Sequence, residues 1–170
     1  VSNLMNGATR LQPVVMQLGQ AAGVIAALSQ YACVEVKEVE VRKVQNALLE
    51  AGCYIMPYLD LPKDHRHFKA IQRIGAMGIL RGEGRNVGWA NQTWFRAEDA
   101  LMASEIFAKE FYAGDLGLGN GSVTVGKLVD TFRRLGVPVS QDTEAWWAQF
   151  DLENYDADRV ATRLEAAVLI

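Results

Sequence analysis

The residues best suited to chemistry in this chain are not a catalytic set. Trp89, Trp94 and Arg96 stand close together beside the glycine-rich stretch "RGEGRNVG" (Arg81 to Gly88). An indole face stacks on the apolar face of a sugar, and a guanidinium forks onto a carboxylate. One chemistry open to the three is therefore recognition of an acidic polysaccharide. The other is plain packing, with both tryptophans in a small core and Arg96 paired to a nearby acid. A second place of interest is the run "LQPV", Leu11 to Val14. It opens a helix, and the free N–H groups and positive dipole end there favour the electron-rich edge of a ligand. Further along, Gly19 and Gly23 fall on one helix face and let another backbone come close. That face suits packing on a sheet or a helix equally well.

Other reactive residue types lack the company they need. His65 and His67 flank Arg66, with only Asp64 beside them as a further ligand, which is short of a closed metal site. They read as surface histidines ahead of a helix. The acidic stretch "DLENYDAD" (Asp151 to Asp158) lacks the spacing and central glycine of a calcium loop. Ser2, Ser29, Ser104, Ser122 and Ser140 show no nucleophile-elbow pattern. Cys33 and Cys53 form one bridge or none. No catalytic residue and no metal ligand is assigned.

Composition narrows the classes. Of 170 residues, 50% are hydrophobic and 22% charged, as in an ordinary globular chain with enough apolar residues for a core. The formal net charge of −3 carries no basic face, which excludes a nucleic-acid binder. The most apolar stretch, Val14 to Leu28, is broken by Gln17, Gly19, Gln20 and Gly23, so no membrane-spanning segment is expected. Val1 and Ile170 both read as cuts through a longer protein.

The expected fold is mainly α. Pro13 suits the first turn of a helix running to Tyr31. A short strand or extended link follows, where Val34 and Val36 alternate with Glu35 and Lys37, then a helix from Val41 to Ala51 that Gly52 ends. "MPYLDLPKDH" (Met56 to His65) is a loop. Phe68, Ile71, Ile74, Gly75 and Gly78 mark the next helix, and Arg81 to Gly88 is a loop. A long helix is predicted over Arg96–Tyr112, then a glycine-rich connection over Ala113–Ser122, with "GSVTV" weakly extended. Helices follow at Lys127–Leu135 and Glu144–Phe150. Trp146 and Trp147 are adjacent on the latter, so one is expected in the core and the other outside. Thr162 opens the last helix, with Glu165 three residues on forming a capping box.

Two stretches carry resemblances. "VSNLMNGATRLQPVVMQLGQAAGVIAAL" (residues 1–28) resembles the closing block of FAD-dependent oxidoreductases with a glutathione-reductase-like nucleotide fold. The resemblance implies that Thr9, Arg10, Leu11, Gln12, Pro13 and Val14 lie near the pyrimidine end of a flavin, while Gly19, Ala22 and Gly23 serve packing. The family's G-x-G-x-x-G fingerprint is absent, and "GLGNGS" (Gly117 to Ser122) reads as a loop. FAD is thus expected in a parent protein and not in this chain alone. "HFKAIQRIGAMGILRGEGRNVGWANQTWFRAEDALMASEIF" (residues 67–107) resembles an S-layer-homology-like unit, its second helix opening at Phe95-Arg96-Ala97-Glu98. "VATRLEAAVLI" (residues 160–170) reads as a second copy.

The organisation that follows is an edge of an FAD-binding domain at 1–32, a linker and helix at 33–64, and a helical S-layer-homology-like accessory domain at 65–170. The partner implied is the N-terminal FAD-binding domain of the same chain. Without it, the first helix exposes an apolar face and can drive homodimerisation. The alternative is a carbohydrate- or surface-binding module of a polysaccharide-acting protein. Proteins with this tail are sometimes labelled xanthan lyases.

Overall fold

A computed structural model describes residues 11–107 and 116–170. Backbone contacts divide the chain into two compact units, Val1–Ile55 and Met56–Ile170. The division falls inside the stretch read above as linker and helix.

The first unit is built on α1, Gln12–Ala32. Its alanines and unbranched side chains favour helix, and Pro13 sits in the first turn where a missing N–H costs nothing. Cys33 ends it in the left-handed region at φ 53°. The expected extended link becomes instead a 3-10 turn at Val36–Glu38. The backbone N–H of Glu35 donates to Glu38 Oε2 at 3.0 Å and closes that turn. Val34 and Val36 alternate but form no strand, and among the described residues of this unit no second strand is present to pair with them. Helix α2, Val41–Glu50, follows and touches α1, and its Val44 and Leu49 are buried. No residue of α1 is buried. Val14, Ala21, Val24, Ile25 and Leu28 form a half-buried stripe at helical spacing, while Leu11, Val15, Met16 and Leu18 stay exposed.

Among its described residues the second unit has short helices and a two-stranded sheet, joined by long connections. Helix α3, Phe68–Met77, turns Phe68, Ile71 and Ile74 inward and stops at Gly78, whose φ of 76° a side chain would resist. The expected loop after it is a β-hairpin. β1, Glu83–Val87, pairs antiparallel with β2, Ala90–Trp94, with Glu83 opposite Trp94 and Val87 opposite Ala90. The long helix expected from Arg96 does not form over residues 96–107; residues 108–112 of it lie outside the described residues. The cause is competition for its backbone. Asp60 carboxylate oxygens accept from Phe95 N at 2.8 Å and Arg96 N at 2.6 Å, and Arg96 adopts φ 58°. Only a 3-10 turn, Ala103–Glu105, appears there.

The centre of the unit is a ring of three backbone hydrogen bonds. Leu101 N donates to Ala161 O at 2.8 Å, Ala161 N to Val123 O at 2.8 Å, and Val123 N to Leu101 O at 2.9 Å. All three residues are fully buried. Each is followed by a position that starts a turn or helix. Met102 N donates to Glu105 Oε2 at 3.0 Å. Thr124 Oγ1 accepts from Lys127 N at 3.3 Å and begins α4, Val125–Arg134. Thr162 Oγ1 accepts from Glu165 N at 3.2 Å and begins α6, Arg163–Leu169. The segments at 100–105, 122–127 and 160–165 are thus three versions of one local pattern. The equivalent of Thr162 in the earlier part of the unit is Met102, whereas the S-layer-homology-like resemblance opens a helix at Phe95.

Helix α5, Thr143–Ala148, corrects a further expectation, because Trp146 and Trp147 are both buried. The helix is too short to have a free side here: Trp146 meets Phe150 edge-on at 5.0 Å, and Trp147 meets Tyr155 at 5.7 Å. The Trp147 indole N–H also donates to Glu153 O at 3.2 Å.

Candidate functional site

The start of α1 is the first candidate. Leu11 is extended, at φ −68° and ψ 134°, and no side chain caps the helix. Pro13 has no N–H, and the first turn contains no acidic residue. Val15 N is satisfied by Leu11 O at 3.0 Å. An open cleft is lined there by Leu11, Gln12, Pro13 and Val14. Its chemistry is a positive dipole end with apolar walls and no carboxylate of its own, which suits a partially negative, flat ligand edge. Thr9 and Arg10, the other two residues assigned to this place, lie outside the described residues.

Farther along α1, Gly19 and Gly23 have open space where a Cβ would stand. The glycines therefore create a flat strip that nothing in the described residues occupies.

Trp89, Trp94 and Arg96 are held by the hairpin. The register leaves Gly88 and Trp89 as a two-residue turn, with Gly88 at φ 58°. Trp89 is fully exposed at that tip, so it does not enter the core. Trp94, at the other end of β2, is half-buried. Arg96 Nε lies 2.7 Å from Glu83 Oε2, and its Nη1 lies 3.7 Å from Asp99 Oδ2. Glu83 also takes Arg85 Nε at 2.6 Å. The hydrogen bond from Arg85, then the charges of Arg85 and Arg96, hold the Glu83 carboxyl below its ordinary range. Arg96 is therefore a paired cation.

A polar cleft of about 350 Å³ lies beside it, with Arg81, Arg96, Ser104 and Glu105 among its walls. Arg163 also lines it. Arg163 Nε donates to Phe95 O at 2.9 Å, Nη2 to Arg81 O at 2.7 Å, and Nη1 to Glu105 Oε1 at 2.6 Å. Its guanidinium lies 5.0 Å from the Phe95 ring centre. The signal was present, since Arg163 stands inside the Thr162–Glu165 capping box, but its long-range partners could not be read from there.

Histidine placement differs from expectation. His67 is buried, not a surface residue, and His65 is half-buried with its Nδ1 accepting from His67 N at 3.1 Å. Among the described residues, no three His, Cys, Asp or Glu side chains are grouped to hold a metal. Cys33 and Cys53 are both free thiols. No helix among the described residues is long and apolar enough to cross a membrane.

Comparison with known proteins bears on the first unit. No curated protein matches the chain, and no solved structure matches it. A family model matches only within the first unit and ends before Met56, where the second unit begins. Residues 1–48 match the family model of FAD dependent oxidoreductases, a partial match that takes in all of α1 and most of α2.

Proposed function

We propose that this chain is the C-terminal, non-catalytic portion of an FAD-dependent oxidoreductase, whose first helix packs on the flavin-binding domain and whose second unit is an accessory domain packing on or capping it. The observation that carries the reading is a coincidence of place. The family match covers 1–48, and inside it Leu11, Val15, Met16, Leu18 and the two-glycine strip of α1 are left uncovered by the described residues. An apolar strip of this kind is a packing surface, and a flavin domain is the partner the match suggests. In this reading Leu11 to Val14, with Thr9 and Arg10 just before them, approach the ring edge where negative charge builds on reduction. The helix dipole stabilises that charge, while the redox chemistry is the flavin's own.

The test is the visible absorption spectrum of the full-length parent, purified without added cofactor. Flavin bands are expected, and they should vanish when the region preceding Val1 is removed. This chain alone should take up no stoichiometric FAD. A folded parent that is colourless and ignores added FAD would end the proposal.

A further inference from the structure

The glycine-rich connection ahead of α4 is held at its two ends and open between them. Leu118 is buried on one side. On the other, Gly121 O accepts from Ala103 N at 2.9 Å, and Val123 belongs to the buried ring. Gly119 and Asn120, between these ties, are exposed. Gly119 and Gly121 are both left-handed, at φ 71° and 92°, and a Cβ at either would meet nothing. Asn120 thus stands between two residues without side chains. Among the described residues, neither its carboxamide nor the Gly121 N–H has a hydrogen-bond partner.

That arrangement leaves an electrophile open to its own backbone. The nitrogen after an asparagine attacks the carboxamide carbon once solvent base has taken its proton. A side chain on that next residue obstructs the approach, and glycine removes the obstruction and widens the range of φ and ψ in which the atoms meet. A bonded N–H would first have to break its bond, and this one has none to break. The other asparagines of the described residues lack this combination. Asn46 lies inside α2, Asn86 and Asn91 lie in the hairpin strands, and Asn154 is followed by Tyr155.

We propose that Asn120 is a site of spontaneous covalent modification, converting through a cyclic imide with Gly121 into aspartyl and isoaspartyl residues. A bond forms between Gly121 N and Asn120 Cγ, and the carboxamide C–N bond breaks, releasing ammonia. Water then opens the imide at either carbonyl, with no change of oxidation state. Opening at one restores the ordinary main chain and leaves an aspartate. Opening at the other routes the main chain through the former side chain. Either product is an anion where asparagine was neutral. Asn120 and Gly121 line an open cleft of about 640 Å³ together with Arg81, Ser104 and Phe107. The Arg81 guanidinium lies 4.4 Å from the Phe107 ring centre, its Nε donates to Gly78 O at 3.3 Å, and it makes no ion pair among the described residues. The conversion therefore sets a carboxylate in a cleft lined by an unpaired cation.

The experiment incubates this chain, native and urea-unfolded in parallel, at neutral and mildly alkaline pH. Peptide mass spectrometry then reads the mass gain from amide to acid at each asparagine and separates the isoaspartyl from the aspartyl form. Asn6 also precedes a glycine and lies outside the described residues; Arg10 and Lys109 place it on a different tryptic peptide from Asn120. In the native chain, conversion at Asn120 should exceed that at Asn86, Asn91 and Asn154 by about an order of magnitude, because none of those three precedes a glycine. It should quicken as pH rises and give both products. A native chain that keeps Asn120 intact while the unfolded chain loses it would overturn the proposal. So would conversion no faster than at the other three, or an aspartyl product alone, which would mean direct hydrolysis without the imide.

Discussion

Arg163 shows how much one buried side chain can hold. Its three directions of donation reach two backbone carbonyls and one carboxylate, at 2.9, 2.7 and 2.6 Å, from three separate stretches of chain. Only a planar guanidinium supplies that fork. Removing it strands the carbonyls of Phe95 and Arg81, while Glu105, at 38% side-chain exposure, can still be partly hydrated. The expected loss for Arg163→Met is about 2–4 kcal/mol, near the lower end for a broken buried pair because of that hydration. Arg163→Lys should recover only a minor part, since one ammonium cannot serve all three acceptors. Urea unfolding at constant m-value measures both. Equal stability in wild type and Arg163→Met would mean that solvent already satisfies the three groups.

Helix starts were the most legible elements, because a cap is a local device. Thr162 and Glu165 lie three residues apart, and the sequence pattern and the structure agree on their box. Thr162→Ala should cost about 1 kcal/mol, and Thr124→Ala a similar amount. Glu165→Ala should cost more than either. Its carboxylate takes Thr162 N at 2.8 Å and also both Arg159 amino groups, at 3.0 and 2.5 Å. Urea midpoints of the three variants check the ranking, and a Glu165→Ala loss no larger than that of Thr162→Ala would remove Arg159 from the account. What escaped the sequence reading was set by distant partners. Ala100, Leu101, Ile106 and Phe107 do recur at helical spacing, yet Asp60 and the ring at Leu101 claim the backbone around them. The hairpin was hidden for a different reason. Every residue of β1 is exposed, so "EGRNV" shows none of the apolar alternation that marks a half-buried strand. The site at the start of α1 was legible as a helix terminus, from Pro13 and the small residues after it. The role of Arg163 was not.

At the scale of the whole molecule the two units contrast in how they bury surface. The second closes on itself, with Leu101, Val123 and Ala161 fully enclosed and joined in a ring. The first has a long helix without a single buried residue. A helix of 21 residues gains little from propensity alone and draws most of its stability from a covered face. This difference separates two kinds of substitution at Gly19 and Gly23. In the chain by itself a Cβ at either meets nothing, so Gly19→Ala and Gly23→Ala should stabilise α1 by up to about 1 kcal/mol each through propensity. Gly23→Leu should likewise leave the isolated chain folded. In the full-length parent the same leucine would stand in the strip where a flavin domain approaches, and flavin content should fall well below that of the wild type. Circular dichroism of the isolated chain and the ratio of visible to ultraviolet absorbance of the parent give the two readings. A parent that carries Gly23→Leu with undiminished flavin would show that this face of α1 is not the one the flavin domain covers, even if the spectrum of the wild type confirms a flavoprotein.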